Sequence, residues 1–131
     1  MVFVTRWIPG ILSLVLAGTA LADWTKISTD GDIYSAFADK DSIRRNGSSV
    51  TMVGLYDFRK QDFTPTGRGL YSTVVLREYD CRERRVRLMS SIDFSGQMGS
   101  GEPVDTSNSV RRWEPVVEGG IDEAYWKFAC G

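Results

Sequence analysis

The chain has 131 residues, two cysteines and no histidine, and its 16 basic residues nearly balance its 17 acidic ones. The absence of histidine excludes His-based catalytic triads and the commonest transition-metal ligand. The near-zero net charge predicts no general attraction to nucleic acid or to an anionic membrane, so we expect no nucleic-acid partner.

The first 22 residues have the pattern of a cleavable secretory signal. Arg6 supplies a positive charge, Ile8 to Ala20 form an apolar segment, and residues 20–22 (ALA) match the small-residue cleavage site. A retained membrane anchor is the alternative, but the apolar run is shorter than the roughly 20 residues that span a bilayer. We therefore predict cleavage between Ala22 and Asp23. No cysteine stands at the start of the mature chain, so we expect no lipid anchor. We also expect no transmembrane segment after cleavage of the signal.

The remaining residues, 23–131, have the length of one domain. Trp24–Ser28 and Ile33–Ala38 alternate apolar and polar side chains on either side of an Asp-Gly turn, which predicts two strands of a hairpin. Asp39–Arg45 is predicted to be a short helical turn, with its first aspartate as N-cap. It ends at Asn46-Gly47, a pair that tolerates the backbone of a tight turn.

The middle of the domain predicts three long strands. These are Val50–Arg59, Leu70–Cys81 and Val86–Phe94, separated by a loop at Lys60–Gly69 and a tight reversal at Arg82–Arg84. Both faces of the 70–81 strand carry apolar residues. We therefore expect one face to receive a helix and the other to pack on another part of the chain or on a second subunit.

The last part of the chain changes its hydrophobic period. Ser95–Ser109 is rich in glycine and serine and is predicted to be a loop, and Val110–Val117 a short last strand that Pro115 confines to an edge. A helix then follows, because apolar residues recur at helical spacing: Ile121, Ala124, Tyr125, Phe128 and Ala129. Asp122 and Glu123 suit its first turn. The predicted class is α+β.

The two cysteines lie at the ends of two predicted elements, Cys81 after a strand and Cys130 at the end of the helix. In an exported chain an even number of cysteines predicts disulfides, and two cysteines make one bridge. Closing a loop of about 50 residues is worth roughly 4 kcal/mol in the chain-entropy model. We therefore predict a disulfide that joins the helix to the sheet.

The densest charge cluster is formed by Arg82, Arg84, Arg85 and Arg87. One interpretation is a binding patch for an acidic protein or a sulfated glycan. The alternative is a solvated structural face, because Glu78, Asp80 and Glu83 are interleaved with the arginines and could pair with them across strands.

The aromatic residues of the middle strands allow two interpretations as well. They either fill the core beneath the helix or form a partner or dimer interface, where aromatic side chains concentrate binding energy. The residues concerned are Tyr56, Phe58, Phe63, Tyr71 and Tyr79.

No pattern in the chain indicates catalysis. The Asp30–Asp32 and Asp39–Asp41 pairs lack the spacing of a calcium-binding EF-hand loop. Other carboxylates lack a nucleophile or base at a meaningful spacing. We expect no enzyme activity, no metal site and no cofactor.

Several short motifs, in this order, resemble the surface-adhesin protein E family of Gram-negative bacteria over residues 24–131. They are Trp24, DKDSIRRNG at 39–47, YDC at 79–81, SS at 90–91, MGSG at 98–101, WEP at 113–115 and Cys130. The resemblance implies a curved antiparallel sheet of about six strands, a C-terminal helix tethered by the disulfide, and a homodimer as one possible assembly. It also implies binding of host matrix or serum proteins such as laminin, vitronectin and plasminogen.

The family's founding members are lipoproteins, whereas this chain lacks the lipid-bearing cysteine. We therefore expect a protein that is periplasmic, secreted or at the cell surface, with the periplasm favoured. Two functions follow as hypotheses. The first is non-enzymatic surface recognition of a partner protein of unknown identity. The second is a periplasmic small-ligand or lipid-binding module with its site in the cleft between helix and sheet.

Overall fold

The computed structural model describes residues 23–30 and 32–131, without the side chains of Thr29 and Asp30. The predicted signal, residues 1–22, lies outside the described residues, so its cleavage after Ala22 stays a prediction. Within the described part the chain forms one antiparallel sheet and a C-terminal helix. The strands are β1 Trp24–Asp30, β2 Tyr34–Asn46, β3 Ser49–Phe63, β4 Gly69–Asp80, β5 Arg85–Phe94, β6 Pro103–Ser107 and β7 Glu114–Pro115, and the helix is α1 Ile121–Cys130.

Strands β1 to β6 pair in chain order, each antiparallel to the next. The two-residue strand β7 returns to the start of β5, where Pro115 pairs with Arg85. Strand β6 pairs with the far end of β5, at residues 91–94. Strands β6 and β7 therefore share the edge of β5 that β4 leaves free. The predicted fold class is confirmed: an antiparallel sheet of six to seven strands with one helix.

The predicted helical turn at 39–45 is wrong, because β2 runs through it to Asn46. The local signal is real, since the Asp39 carboxylate accepts a hydrogen bond from the Asp41 N–H at 3.1 Å. Pairing with β3 overrides it and absorbs the extra residues as an irregularity between Asp39 and Arg44. The Ser42 hydroxyl completes this irregularity by accepting a hydrogen bond from the Val53 N–H.

Three other boundaries also differ from the sequence prediction. Strand β3 continues to Phe63, so the predicted 60–69 loop shrinks to residues 64–68. The predicted 95–109 loop contains a 3-10 turn at Gln97–Gly99 and the strand β6. The predicted strand 110–117 is reduced to β7. These boundaries are decided by pairing with β4 and β5, which local composition indicates only weakly.

Helix α1 has the predicted bounds, and its apolar side packs on one face of the sheet. Tyr125 and Ala129 are 0% and 2% exposed. The Tyr125 hydroxyl donates to the backbone carbonyls of Phe37 and Leu55, at 2.9 and 3.2 Å. The sheet residues beneath the helix form the core: Ala36, Ala38, Val50, Met52, Tyr79 and Val86. Small residues at this contact let the helix approach the strands closely.

The predicted disulfide between Cys81 and Cys130 is confirmed, with a Cα–Cα distance of 5.7 Å. Cys81 directly follows β4 and Cys130 ends α1. Beside it the Trp126 indole N–H donates to the Asp80 carbonyl at 2.9 Å. Arg45 of β2 donates to the Cys130 carbonyl at 2.7 Å. The end of the helix is therefore held by one covalent bond and two hydrogen bonds.

The opposite face of the sheet is covered in part by the 3-10 turn. A Cβ built on Gly99 would lie 3.5 Å from Val74 and 4.0 Å from Leu55. The fully buried Ser72 hydroxyl accepts from the Gly99 N–H and donates to the Gly96 carbonyl. The two apolar faces of the 70–81 strand are therefore covered by different parts of the chain. One packs against α1, and the other packs in part against the 3-10 turn.

Candidate functional site

The predicted arginine cluster lies at the end of the β4–β5 hairpin, next to two tryptophans. Residues 81–84 form the turn between the strands, and Arg84 adopts a positive φ of 52° there. We call the set below the arginine–tryptophan surface. Its members are Arg82, Arg84, Arg85, Arg87, Trp113 and Trp126.

Trp113 lies against two arginines of β5. The guanidinium carbons of Arg85 and Arg87 are 4.8 and 4.5 Å from the centroid of its ring. The two arginines share one face of β5 because strand residues alternate. A cation over an aromatic ring at this distance is attracted by the ring quadrupole. Trp113 therefore fixes the position of both guanidinium groups.

The same two arginines pair with carboxylates of β4. Asp80 lies opposite Arg85 and Glu78 opposite Arg87 in the strand register. The ion-pair distances are 3.0 Å for Arg85–Asp80 and 2.7 Å for Arg87–Glu78. Arg85 and Arg87 therefore form the cross-strand ion pairs that the structural interpretation expects.

Arg84 connects the hairpin turn to the helix. Its guanidinium carbon lies 4.4 Å from the centroid of the Trp126 ring, and its Nη2 lies 2.7 Å from the Glu123 carboxylate. Both partners belong to α1. The arginine–tryptophan surface therefore continues from the sheet onto the helix.

The three carboxylates that hold these arginines have lowered pKa values. Backbone N–H donation from Glu83 lowers the pKa of Asp80 most, and Arg85 lowers it further. Burial raises the pKa of Glu78, but hydrogen bonds from Ser49 and Arg87 outweigh burial and lower it. The Gly119 N–H, followed by Arg84, lowers the pKa of Glu123. All three carboxylates are therefore ionised at neutral pH.

Three further arginines of this region have no acidic partner among the described residues. Arg82, Arg111 and Arg112 are exposed. Among the described residues, no carboxylate oxygen lies within 4 Å of their guanidinium groups. The arginine–tryptophan surface therefore combines arginines that are fixed in position with Arg82, which has no ion-pair partner among the described residues, and Arg111 and Arg112 lie next to Arg87. The binding role of Arg82, Arg84, Arg85 and Arg87 stays a prediction.

The aromatic residues considered from sequence do not form one surface. Tyr79 is 2% exposed and belongs to the core under α1, where Tyr56 packs at its margin. The Tyr56 hydroxyl accepts a hydrogen bond from Arg77 at 2.7 Å. Phe63 is 60% exposed at the far end of β3. Sequence reasoning missed Trp113 and Trp126 as partners of the arginines, since that contact depends on which chain segments meet.

The predicted cleft between helix and sheet is mostly filled. The helix side chains Tyr125 and Ala129 occupy its centre and are almost fully buried. An open groove of about 640 Å³ remains along one side of α1, next to β1. A ligand site between helix and sheet would have to use this groove.

The described residues hold neither a cluster of metal ligands nor a membrane-spanning helix. They contain no group of three or more cysteine, aspartate or glutamate side chains arranged to hold a metal ion. In the same part of the chain, no helix is long and apolar enough to cross a membrane.

The fold and the disulfide can be compared with known proteins. The family model described as surface-adhesin protein E matches residues 24–131. The chain belongs to the surface-adhesin protein E family. This confirms the resemblance noted from the short motifs and makes the protein adhesin-like. No curated protein matches the chain.

Solved structures of Haemophilus influenzae protein E share the fold. Crystal form II has a TM-score of 0.66 and 11% identity, over 82% of this chain and 86% of that one. Protein E from non-typeable H. influenzae has a TM-score of 0.59 and 12% identity, over 84% and 85% of the two chains. At this identity the similarity concerns the fold alone.

Proposed function

We propose that this protein is an exported, non-enzymatic adhesin-like protein that recognises an acidic region of a partner protein through the arginine–tryptophan surface. Membership of the surface-adhesin protein E family supports a role in recognition at the cell exterior. The family resemblance suggests host matrix or serum proteins as partners. Release into the periplasm or to the cell surface rests on the predicted signal peptide, and fractionating cells for the mature protein tests it.

One observation carries the proposal: the arginines are held in place and remain accessible. The side chains of Arg84 and Arg85 are 46% and 43% exposed although each has a ring and a carboxylate partner. Arginine and tryptophan are enriched among residues that dominate binding energy. Because their side chains are already ordered, binding loses less conformational entropy than it would with free arginines.

The experiment measures binding to immobilised laminin, vitronectin and plasminogen, and retention on heparin. Arg82→Gln and Arg85→Gln are combined, because the first removes a free charge and the second a stacked one. We expect affinity to fall about tenfold or more, the effect of losing roughly 1.4 kcal/mol of binding energy. Lys40→Gln, at an exposed lysine of β2, is the matched control and should bind as the unaltered protein does.

Two results would contradict the proposal. One is binding to none of the three host proteins. The other is equal binding by the double variant and the Lys40 control, with circular dichroism showing that both are folded. A patch that serves only to stabilise the hairpin would lower the melting temperature of the double variant and leave its binding unchanged.

The competing function, a small-ligand or lipid-binding module, is supported only by the groove beside α1. The filled centre of the helix–sheet interface leaves no enclosed site there for a lipid chain. Native mass spectrometry of the protein purified from periplasm tests this function. A small molecule that co-purifies at one copy per chain would favour it over recognition of a partner protein.

A further inference from the structure

The groove beside α1 has two different walls. Strand β1 contributes Ile27 and Ser28, and β2 contributes Tyr34. The other side is the Gly119-Gly120 turn and the first two turns of the helix. None of these residues belongs to the arginine–tryptophan surface. The groove is therefore a second candidate site, which adjoins the arginine–tryptophan surface at Glu123, the ion-pair partner of Arg84.

The first wall is the free edge of a strand. Within the described residues β1 pairs only with β2, so the backbone groups on its other edge have no partner in the sheet. The strand has seven residues, with an irregularity in its pairing between Lys26 and Ser28, and spans at most about 23 Å at the usual rise per residue. A row of unpaired N–H and C=O groups is complementary to another extended backbone.

The second wall leaves room for side chains. Ala124 is the smallest side chain that α1 presents to the groove, and the apolar residues Ile27, Tyr34 and Ile121 lie around it. An extended segment beside β1 would direct every second side chain toward these residues. The part of the groove around Ala124 therefore suits apolar side chains, whereas Ser28, Glu123 and Lys127 make the rest of its lining polar.

Among the described side chains that line the groove, Glu123 and Lys127 carry a charge. The Glu123 carboxylate is already occupied, because Oε2 pairs with Arg84 at 2.7 Å and Oε1 accepts from the Gly119 N–H at 3.1 Å. Lys127 is 66% exposed and lies 3.9 Å from the same carboxylate. The ammonium group of Lys127 is therefore the charge left for a ligand, and it favours an acidic residue.

We propose that the groove between β1 and α1 binds an extended polypeptide segment, which adds to the free edge of β1, places apolar side chains against Ala124 and pairs an acidic residue with Lys127. This inference rests on the proposed function only in taking the partner to be a protein. It adds a second contact site and a sequence preference: alternating apolar residues with one acid.

The test titrates the purified, disulfide-bonded protein with synthetic eight-residue peptides and follows backbone amide signals by NMR. The peptides alternate valine and threonine and carry aspartate, lysine or proline at one central position. We expect saturable shifts at residues 24–28 and 121–127 with the aspartate peptide, about fivefold weaker binding of the lysine peptide, and none of the proline peptide, which lacks an N–H for the ladder.

Two variants and a control locate the binding. Ala124→Trp fills the groove and should abolish the shifts, whereas Lys127→Glu should reverse the preference between the aspartate and lysine peptides. Lys40→Glu makes the same charge change at an exposed position of β2 and should leave both affinities unchanged. The combined Arg82 and Arg85 variant should bind the peptides normally, which separates this site from the arginine–tryptophan surface.

Several outcomes would overturn the inference. These are the absence of saturable shifts, shifts that survive Ala124→Trp, and an unchanged preference in Lys127→Glu. Concentration-dependent dimerisation that Ala124→Trp abolishes would also overturn it, because a second copy of the chain would then occupy the edge of β1. Loss of host-protein binding with normal peptide binding would contradict the proposed function and leave this site standing.

Discussion

Alternate residues of β4 point to the two faces of the sheet, and the two faces are stabilised differently. On the side of the helix, Tyr79 of β4 is buried in the core, and Cys81, which follows the strand, forms the disulfide with Cys130. On the other side, which we call the arginine face, Glu78 pairs with Arg87 and Asp80 with Arg85, and both arginines are partly exposed. The helix face depends on burial, which fixes each side chain by its shape. The arginine face depends on charge pairs near water, which add little stability but leave accessible groups in defined positions.

The strongest way to separate the two faces is to remove the disulfide with Cys81→Ala and Cys130→Ala together. The free energy of unfolding should fall by about 4 kcal/mol, because the unfolded chain regains the freedom of a loop of about 50 residues. Urea unfolding followed by circular dichroism measures this change. Ser109→Ala, in an exposed part of the chain, is the control. A loss below about 1 kcal/mol would mean that packing alone holds α1.

A smaller effect is expected from crowding the helix contact with Gly54→Val. A Cβ at this position would lie 3.1 Å from the Tyr125 ring, which is fully buried. We expect a loss of about 1–3 kcal/mol, the usual cost of overpacking a core. Ser109→Val, which places the same side chain at an exposed position, is the control. Equal urea midpoints for the two variants would show that the helix moves away without cost.

The smallest effect should be the contribution of the arginine face to the pH dependence of the free energy of unfolding. Because Asp80 and Glu78 have lowered pKa values in the folded protein, the unfolded chain takes up protons first as the pH falls. Their stabilising effect is present above their ordinary values of 3.8 and 4.5 and is lost as the pH falls below them.

Urea unfolding at several pH values between about 3 and 7 measures this loss. Asp80→Asn should be less stable than the unaltered protein at neutral pH and should show a weaker dependence on acid. Glu118→Gln removes an exposed carboxylate that has no ion-pair partner among the described residues, and it serves as the control. If Asp80→Asn and Glu118→Gln gave the same acid profile, the ionised Asp80 carboxylate, with its backbone hydrogen bonds and its ion pair, would not contribute to stability.

Elements with a strong period could be predicted from the chain alone. The helix Ile121–Cys130 has the predicted bounds because its apolar residues repeat at helical spacing over the whole element. The segment at 39–45 was predicted wrongly, since its Asp-rich start imitates a helix cap. The segment becomes part of a strand because Asp39 and Arg44 both pair with β3. That pairing depends on residues outside the segment, which the local pattern does not show.

The candidate sites, too, could be predicted from the sequence only in part. The arginine cluster and its pairing with Glu78 and Asp80 could be inferred from their closeness in sequence. The contact of Trp113 with Arg85 could not, because it depends on β7 folding back beside β5. The groove between β1 and α1 joins the first and last elements of the sheet-and-helix unit, and no local pattern indicates which elements will be neighbours.

By itself the sequence determined the class of the fold, the C-terminal helix and the disulfide, because these depend on periodicity, composition and the number of cysteines. The order of its short motifs indicated the family by resemblance. Only the tertiary structure decided how β2 absorbs its extra residues, which tryptophans fix the arginines, and which strand edge stays free. Contacts between distant segments set these features, and burial and backbone pairing override local preference wherever the two compete.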